Sequence, residues 1–501
     1  MKRIFNLILA SSVALGFAAC NNDKAPQADN STEGTTYAGM YISGEKSIAP
    51  RAISQTDEAG RDAEGKLETL YLLSTGGDKS WSYVDSEGTD GEFWPTITGS
   101  KIYKVAPWKT TAGNQIMALI INKGSVTLPA IALADSYTMG TAASAKDDIK
   151  NLSTDDAFVM TSVRAQKTIA DKKDINIVKN GSTEGENVFK FDLERVVVQG
   201  KVAKGDDLKS DTKDGKGSIK LDDLTYAAVN GAVPTYLFAN NAGKRTMGAN
   251  GQYEDFKSAI DDYAEFQGAK EAANVMDKLI RLGNIDENSN DNLGGYAAIK
   301  VADDEDAAKL ARGIYFLENS VKKDVFNPEN KDFGFYRMAY AKVYATFTPK
   351  VLYTLNEDET KLIERTEEIT VGMTFYKGAD DGFLYDTKAA AKKNNTKYYT
   401  YKNGKCAYRA LWNRQMDVTG KLVDNADVRR NNIYLLKITE FQGLGMPWDP
   451  SDPNDPNLPK PDGEDEGENP ENPDIEESET YMRVEAEVIP WNLVTRDVNL
   501  K

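Results

Sequence analysis

Few of the usual reactive side chains are available to this chain. Its 501 residues contain no histidine, which removes Ser-His-Asp and Cys-His nucleophiles, the HExxH zinc motif, imidazole general bases and His-ligated metals. The two cysteines, Cys20 and Cys406, form neither a zinc cluster nor a disulfide framework. With no imidazole to take its proton, Cys406 reads as a small buried hydrophobe. A glycosidase needs only two carboxylates, but no spacing singles out a pair among the many Asp and Glu. Neither a GxxxxGK(S/T) phosphate loop nor a GxGxxG between strand and helix occurs. No catalytic residue, metal ligand or cofactor is expected, and the residues left to do chemistry are Cys20 and two arginines, Arg51 and Arg61.

Cys20 ends the segment MKRIFNLILASSVALGFAAC, which has a basic start at Lys2 and Arg3, an apolar run from Ile4 to Phe17 and two small residues before the cysteine. This is a secretory signal, too short to span a bilayer. It resembles a bacterial lipoprotein signal with Cys20 as the lipidated residue, although Phe17 stands where leucine is commoner. The polar stretch Asn21 to Gly34 reads as a flexible tether. No later apolar run is long enough to cross a membrane. The net charge of −17 repels nucleic acid and anionic lipid alike.

Arg51 and Arg61 lie in SIAPRAISQTDEAGRDAEGK, a polar stretch that reads as flexible and open to proteases. It follows Thr36 to Ser43, where Ala38, Met40 and Ile42 share one face of a short strand. A cut at either arginine would detach that strand together with the lipidated end and open its place in a sheet.

The elements beyond it are short alternating or apolar runs between turn-forming clusters, the pattern of β-sandwiches. They include Leu67 to Leu73, Lys101 to Val105, Gln115 to Asn122, Val188 to Val202, Tyr336 to Phe347 and Asn432 to Thr439. Asn403-Gly404 inside KYYTYKNGKCAY predicts a type I′ hairpin over Lys397 to Tyr408, with Cys406 on a strand. Apolar spacings of three and four predict a helix within Tyr253 to Leu282. A second helix is predicted over Glu305 to Phe316, opening on the acidic run Asp303 to Asp306. The polar stretch Lys204 to Gly217 reads as a linker and sets a domain boundary.

Asp449 to Thr480 carries thirteen acidic residues, seven prolines and one lysine, so it repels itself and stays extended. In a polyproline helix Asp449, Asp452 and Asp455 line one face, an oxygen-only set suited to calcium. EF-hand spacing is absent, and a solvated arm is the better reading. At its end Met482, Val484, Ala486 and Val488 alternate with charged residues to give a half-buried strand. That strand either folds back into its own sheet or adds to the sheet edge of another subunit.

The C-terminal quarter, VRRNNIYLLKITEFQGLGMPWDP, the acidic arm and TYMRVEAEVIPWNLVTRDVNL, resembles the major fimbrillins of Bacteroidales. These are type V pilus subunits, and the shaft subunit of the short fimbriae is the nearest in pattern. Arg430 to Tyr434 (RNNIY) and Val488 to Trp491 (VIPW) carry the resemblance most specifically. It implies a mainly β fold of two tandem, transthyretin-like β-sandwich domains, with a few short helices in the C-terminal one. The layout it implies is a signal at 1–20, a propeptide at 21–51, domains at 52–208 and 209–448, the arm at 449–480 and a donor strand at 481–501. It further implies lipidation at Cys20, surface cleavage by an arginine-specific protease at Arg51 or, second, Arg61, and polymerisation by donor-strand exchange. Met482, Val484, Ala486, Val488 and Trp491 are then the donor residues. The implied partners are identical subunits, tip and anchor fimbrial proteins, the protease and, for the precursor, the outer membrane through its lipid. The competing reading is a surface glycan-binding lipoprotein that uses Trp81, Trp94, Trp108 and some of the 24 tyrosines as stacking platforms. Such a binder has no need of an alternating strand on a long acidic arm.

Overall fold

The computed structural model describes residues 36–43, 61, 64–83, 93–95, 102–128, 137–138, 145–171, 187–238, 279–282, 298–319, 339–413, 427–448 and 482–490. The molecule is mainly β. The described strands between 36 and 195, except Tyr137–Thr138, form one nine-stranded sheet in the order Lys79–Ser82, Thr69–Ser74, Gly113–Ile121, Met160–Ser162, Val188–Arg195, Thr36–Ser43, Ile102–Thr110, Phe93–Pro95. Ala165–Ile169 also pairs with Gly113–Ile121. Its inner face is made by residues at period two, such as Leu70 and Leu72, Ala38, Met40 and Ile42, and Phe191 and Leu193, all buried.

From Val197 onward the chain builds different sheets. A four-stranded sheet runs Ile314–Leu317, Val197–Lys204, Asn432–Phe441, Met482–Pro490. A seven-stranded sheet is centred on Thr225–Ala232, Tyr340–Pro349 and Lys405–Leu411. These two share a core around Trp412, whose fully buried ring stacks on Phe316 with centroids 5.7 Å apart and meets Tyr226 edge-on at 6.4 Å. Glycine is required at position 200, because a Cβ there would sit 2.8 Å from the Trp412 ring. A small five-stranded sheet lies at Tyr353–Leu355, Leu362–Glu364, Phe375–Gly378, Leu384–Tyr385 and Tyr398–Tyr401, with the helix Lys388–Asn394 against it.

Several elements differ from the sequence reading. The run Val188 to Val202 is two strands, Val188–Arg195 in the nine-stranded sheet and Val197–Lys204 in the four-stranded one. Val196, fully buried, stands between them. The stretch Lys204 to Gly217 is no free linker: Gly205 donates its N–H to Ile438, Lys213 to Phe441 and Asp214 to Gln442, which ties it to the C-terminal strand pair. Leu279–Leu282, expected to end a helix, is a strand, and the remainder of the helix expected from Tyr253 lies outside the described residues. The helix expected over Glu305 to Phe316 stops at Leu310. Asp304 caps its start by accepting from the Ala307 N–H at 2.7 Å, but Ile314–Leu317 continues as a fully buried strand.

The expected hairpin is also replaced. Asn403 and Gly404 do take positive φ, 54° and 70°, as a type I′ turn demands. Yet Tyr398–Tyr401 pairs with Phe375–Gly378 and Lys405–Leu411 with Tyr340–Pro349, so the turn passes the chain from one sheet to another. Of the described α-helices, Ala145–Leu152 lies among the N-terminal strands rather than in the C-terminal half.

Candidate functional site

The first strand, Thr36–Ser43, is central. It runs parallel to Val188–Arg195, with Met40 opposite Phe189 and Ile42 opposite Phe191. On its other side it is antiparallel to Ile102–Thr110, where Met40 faces Val105 and Ile42 faces Tyr103. Its alternation puts Ala38, Met40 and Ile42 inside, as read from the sequence, and Thr36 with them. Burying the Met40 and Ile42 side chains stabilises the docked strand by roughly 1.5 to 3 kcal/mol each. A residue that sequence reading missed secures the strand's start. Asn187 donates from Nδ2 to the carbonyls of Tyr37 at 3.0 Å and Ala170 at 2.8 Å, while its own carbonyl oxygen accepts from the Gly39 N–H at 2.9 Å. Asn187 holds φ at 66°, a left-handed conformation that asparagine tolerates well. The one hint in the sequence is an asparagine placed just before a strand.

The last described strand, Met482–Pro490, is at an edge. Among the described residues it pairs, antiparallel, with Asn432–Phe441 alone in its sheet. Met482 and Ile489 are buried, Val484 and Ala486 are half-buried against the core, and Arg483 and Glu485 are exposed. Val488 faces Tyr434 across the ladder, and Trp491 lies outside the described residues. The strand therefore folds back on its own subunit here, the plainer of the two readings its alternation allowed. Its charged contacts, Lys437 with Glu485 and Arg483 with Glu440, both at 3.6 Å, are solvent-facing and contribute little.

The two segments that carried the resemblance are register partners. Asn432 faces Pro490, Ile433 faces Ile489 and Tyr434 faces Val488. Arg430, almost wholly buried, donates to Glu318 at 2.6 Å and to the Leu237 carbonyl at 3.2 Å. Asn431, at a φ of 58°, accepts from the Arg195 backbone and guanidinium at 3.2 and 3.3 Å. The motif is thus a corner that starts the strand on which the C-terminal strand lies.

Cys20 and Arg51 lie outside the described residues. The Arg61 guanidinium forks onto Asp155 at 2.6 and 3.1 Å. Cys406 is fully buried on a strand, and burial pushes its thiol up to about 12, which makes it a poor nucleophile. Trp108 is buried and meets Trp81 edge to face at 5.7 Å on the core, so this pair is not an open stacking platform. The Trp94 side chain lies outside what is described. Among the described residues no group of three or more Cys, Asp or Glu side chains could hold a metal ion, and no helix is long and apolar enough to cross a membrane. The acidic arm is outside that set.

Residues 399–497 match the family model of the major fimbrial subunit protein type IV, fimbrillin, C-terminal region. That stretch is similar to the C-terminal region of the fimbrillins. The match takes in the Lys405–Leu411 strand, the whole Asn432–Phe441 and Met482–Pro490 pair, and both motifs that carried the resemblance. Among solved structures the chain is similar to the fimbrilin FimA of Porphyromonas gingivalis, at 15% identity over 92% of this chain and 99% of that one with a TM-score of 0.44. A Parabacteroides distasonis protein described as a cell adhesion protein is 13% identical over 91% of this chain and 100% of that one, at 0.41. A tip fimbrial protein of Porphyromonas gingivalis, truncated at its C-terminus, is 10% identical over 91% of this chain and 100% of that one, at 0.34.

Proposed function

We propose that this protein is a fimbrillin, the shaft subunit of an adhesive cell-surface fimbria, exported as a precursor lipidated on Cys20 and activated by cleavage after Arg51. The C-terminal strand of one subunit then enters the place left by Thr36–Ser43 in its neighbour. The carrying observation is the position of Thr36–Ser43: a short strand close to the N-terminus, with paired neighbours on both sides and its inner side chains fully buried. Its loss exposes two rows of backbone N–H and C=O groups and an apolar groove, a template that demands a strand. Met482, Val484, Ala486 and Val488 have the same period-two spacing as Thr36, Ala38, Met40 and Ile42. The incoming strand starts from an edge, so it leaves one neighbour rather than two.

The organisation that goes with this reading is a pair of tandem β-sandwich domains. The reading divides them at 208 and 209, and the change of strand partners at Val196 supports a division in this part of the chain. Tip and anchor subunits complete the fimbria, and the lipidated precursor resides in the outer membrane. The test is incubation of the purified precursor with an arginine-specific protease, with the new N-terminus read by mass spectrometry and assembly by gel and electron microscopy. The expected result is a chain starting at Ala52 and a heat-sensitive ladder of filaments. A chain cut at Arg51 that stays monomeric at high concentration would rule out strand exchange.

A further inference from the structure

Ten residues beyond Arg51 the chain presents a second arginine in a similar polar sequence, and several side chains converge on it. The Arg61 guanidinium donates to both Asp155 oxygens, at 2.6 and 3.1 Å, to Glu64 Oε1 at 3.1 Å and to the Tyr315 hydroxyl at 3.3 Å. Its backbone N–H donates to the other Glu64 oxygen at 3.1 Å. Glu64 is fully buried and is shared, because the Tyr315 hydroxyl and the Gln199 amide at 3.0 Å also donate to it. The buried Arg195 holds the Glu64 carbonyl at 2.8 Å. Asp155 lies just beyond the helix Ala145–Leu152 on the N-terminal side, whereas Tyr315 and Gln199 belong to the four-stranded sheet, so the cluster joins both strand groups. Arg312 approaches Asp155 at 3.7 Å.

We infer that this cluster locks Arg61 against arginine-specific proteolysis, so that the enzyme that cuts after Arg51 does not cut again at Arg61 and the segment from Arg61 onward stays fixed to the subunit. The inference rests on the maturation reading above. An arginine-specific protease must take the guanidinium into an acidic pocket of its own. Here the fork is already filled by a bidentate carboxylate, and withdrawing it strips a buried carboxylate of one of its charged donors. Cleavage at Arg61 therefore requires local opening of the cluster, and its rate follows the population of that opened state.

The experiment compares full-length precursor with Asp155→Ala under limited digestion by an arginine-specific protease, counting chains that begin at Ala52 and at Asp62 by mass spectrometry. Asp155 is partly exposed, so its loss is expected to leave the fold intact, checked by circular dichroism. The expected outcome is little Asp62 product from the wild type and a rise of about two- to fivefold in Asp155→Ala, with the Ala52 rate unchanged. Tyr315→Phe, which removes a single hydroxyl, should give a smaller rise in the same direction. Equal Asp62 product from wild type and both variants overturns the lock, as does wild-type cleavage at Arg61 as fast as at Arg51. The arms are separable, because absence of the Ala52 product sinks the maturation reading while the Arg61 comparison still decides the lock.

Discussion

The first and last described strands have matching sequence patterns and opposite situations. Thr36–Ser43 has neighbours on both sides and four inward residues out of water; Met482–Pro490 has one neighbour in its sheet, exposed charges and half-buried valine and alanine. A strand in the middle of a sheet leaves only when two ladders open together, so its departure at an appreciable rate calls for a cut in the covalent chain. A strand at an edge detaches along one ladder and is available to another acceptor. The contrast suits a subunit that stays inert until it is cut and then exchanges strands without any further source of energy.

The comparison can be broken by charge. Met40→Asp places a carboxylate against Val105 and Phe189 and should lower the stability of the precursor by about 3 to 5 kcal/mol, read from its denaturation midpoint. Val484→Asp, at a half-buried edge position, should cost the monomer only about 1 kcal/mol while abolishing the filament ladder. Equal destabilisation by the two would erase the distinction between the strands. Hydrogen exchange sharpens it without mutation: amides of Met482–Pro490 should exchange on the order of a hundredfold faster than those of Thr36–Ser43 in the uncut precursor.

Asn187→Ala tests what pins the start of the central strand. Losing both carbonyl contacts and the residue's tolerance of positive φ should cost about 1 to 3 kcal/mol and speed exchange at Tyr37 and Gly39 specifically. The smallest effect concerns acid. Partial burial opposes ionisation of Asp155, but the hydrogen bond from Arg61 and the charges of Arg312 and Arg61 prevail and hold its carboxyl below the ordinary value of 3.8. Because the folded state binds the proton less readily, the contribution is complete above that value and fades as pH falls below it. For so solvent-exposed a pair it is worth about 0.5 kcal/mol, visible as a flatter acid limb of the stability curve in Asp155→Ala.

What the sequence revealed and what it hid divide along the range of the interactions. Ala38, Met40 and Ile42, and the alternation from Met482 to Val488, are local patterns, and their strands lie where the pattern put them. Leu279 and Ile280 fit a helical spacing, yet pairing with Thr225–Ala232 makes them a strand. The Asn403-Gly404 turn has the local conformation its residues favour, but the strands flanking it find their partners elsewhere. Arg61 and Asp155 are 94 residues apart, so nothing near Arg61 could mark it as paired with Asp155; of its carboxylate partners only Glu64, three residues on, is local. Asn187 and Thr36 are likewise brought together only by the sheet.

One last consequence belongs to Val196. The strand before it flanks the slot of Thr36–Ser43, and the strand after it lies parallel to Asn432–Phe441, which carries the C-terminal strand. In a filament joined by strands, a pull applied at the slot would pass into Val188–Arg195, run along one uninterrupted backbone through Val196, and leave through the ladder to Asn432–Phe441. The hydrogen bonds at each end would be loaded lengthwise, many at once, instead of being opened one after another. The subunit is thereby built like a rope splice, with its tensile element laid down in a single stretch of chain.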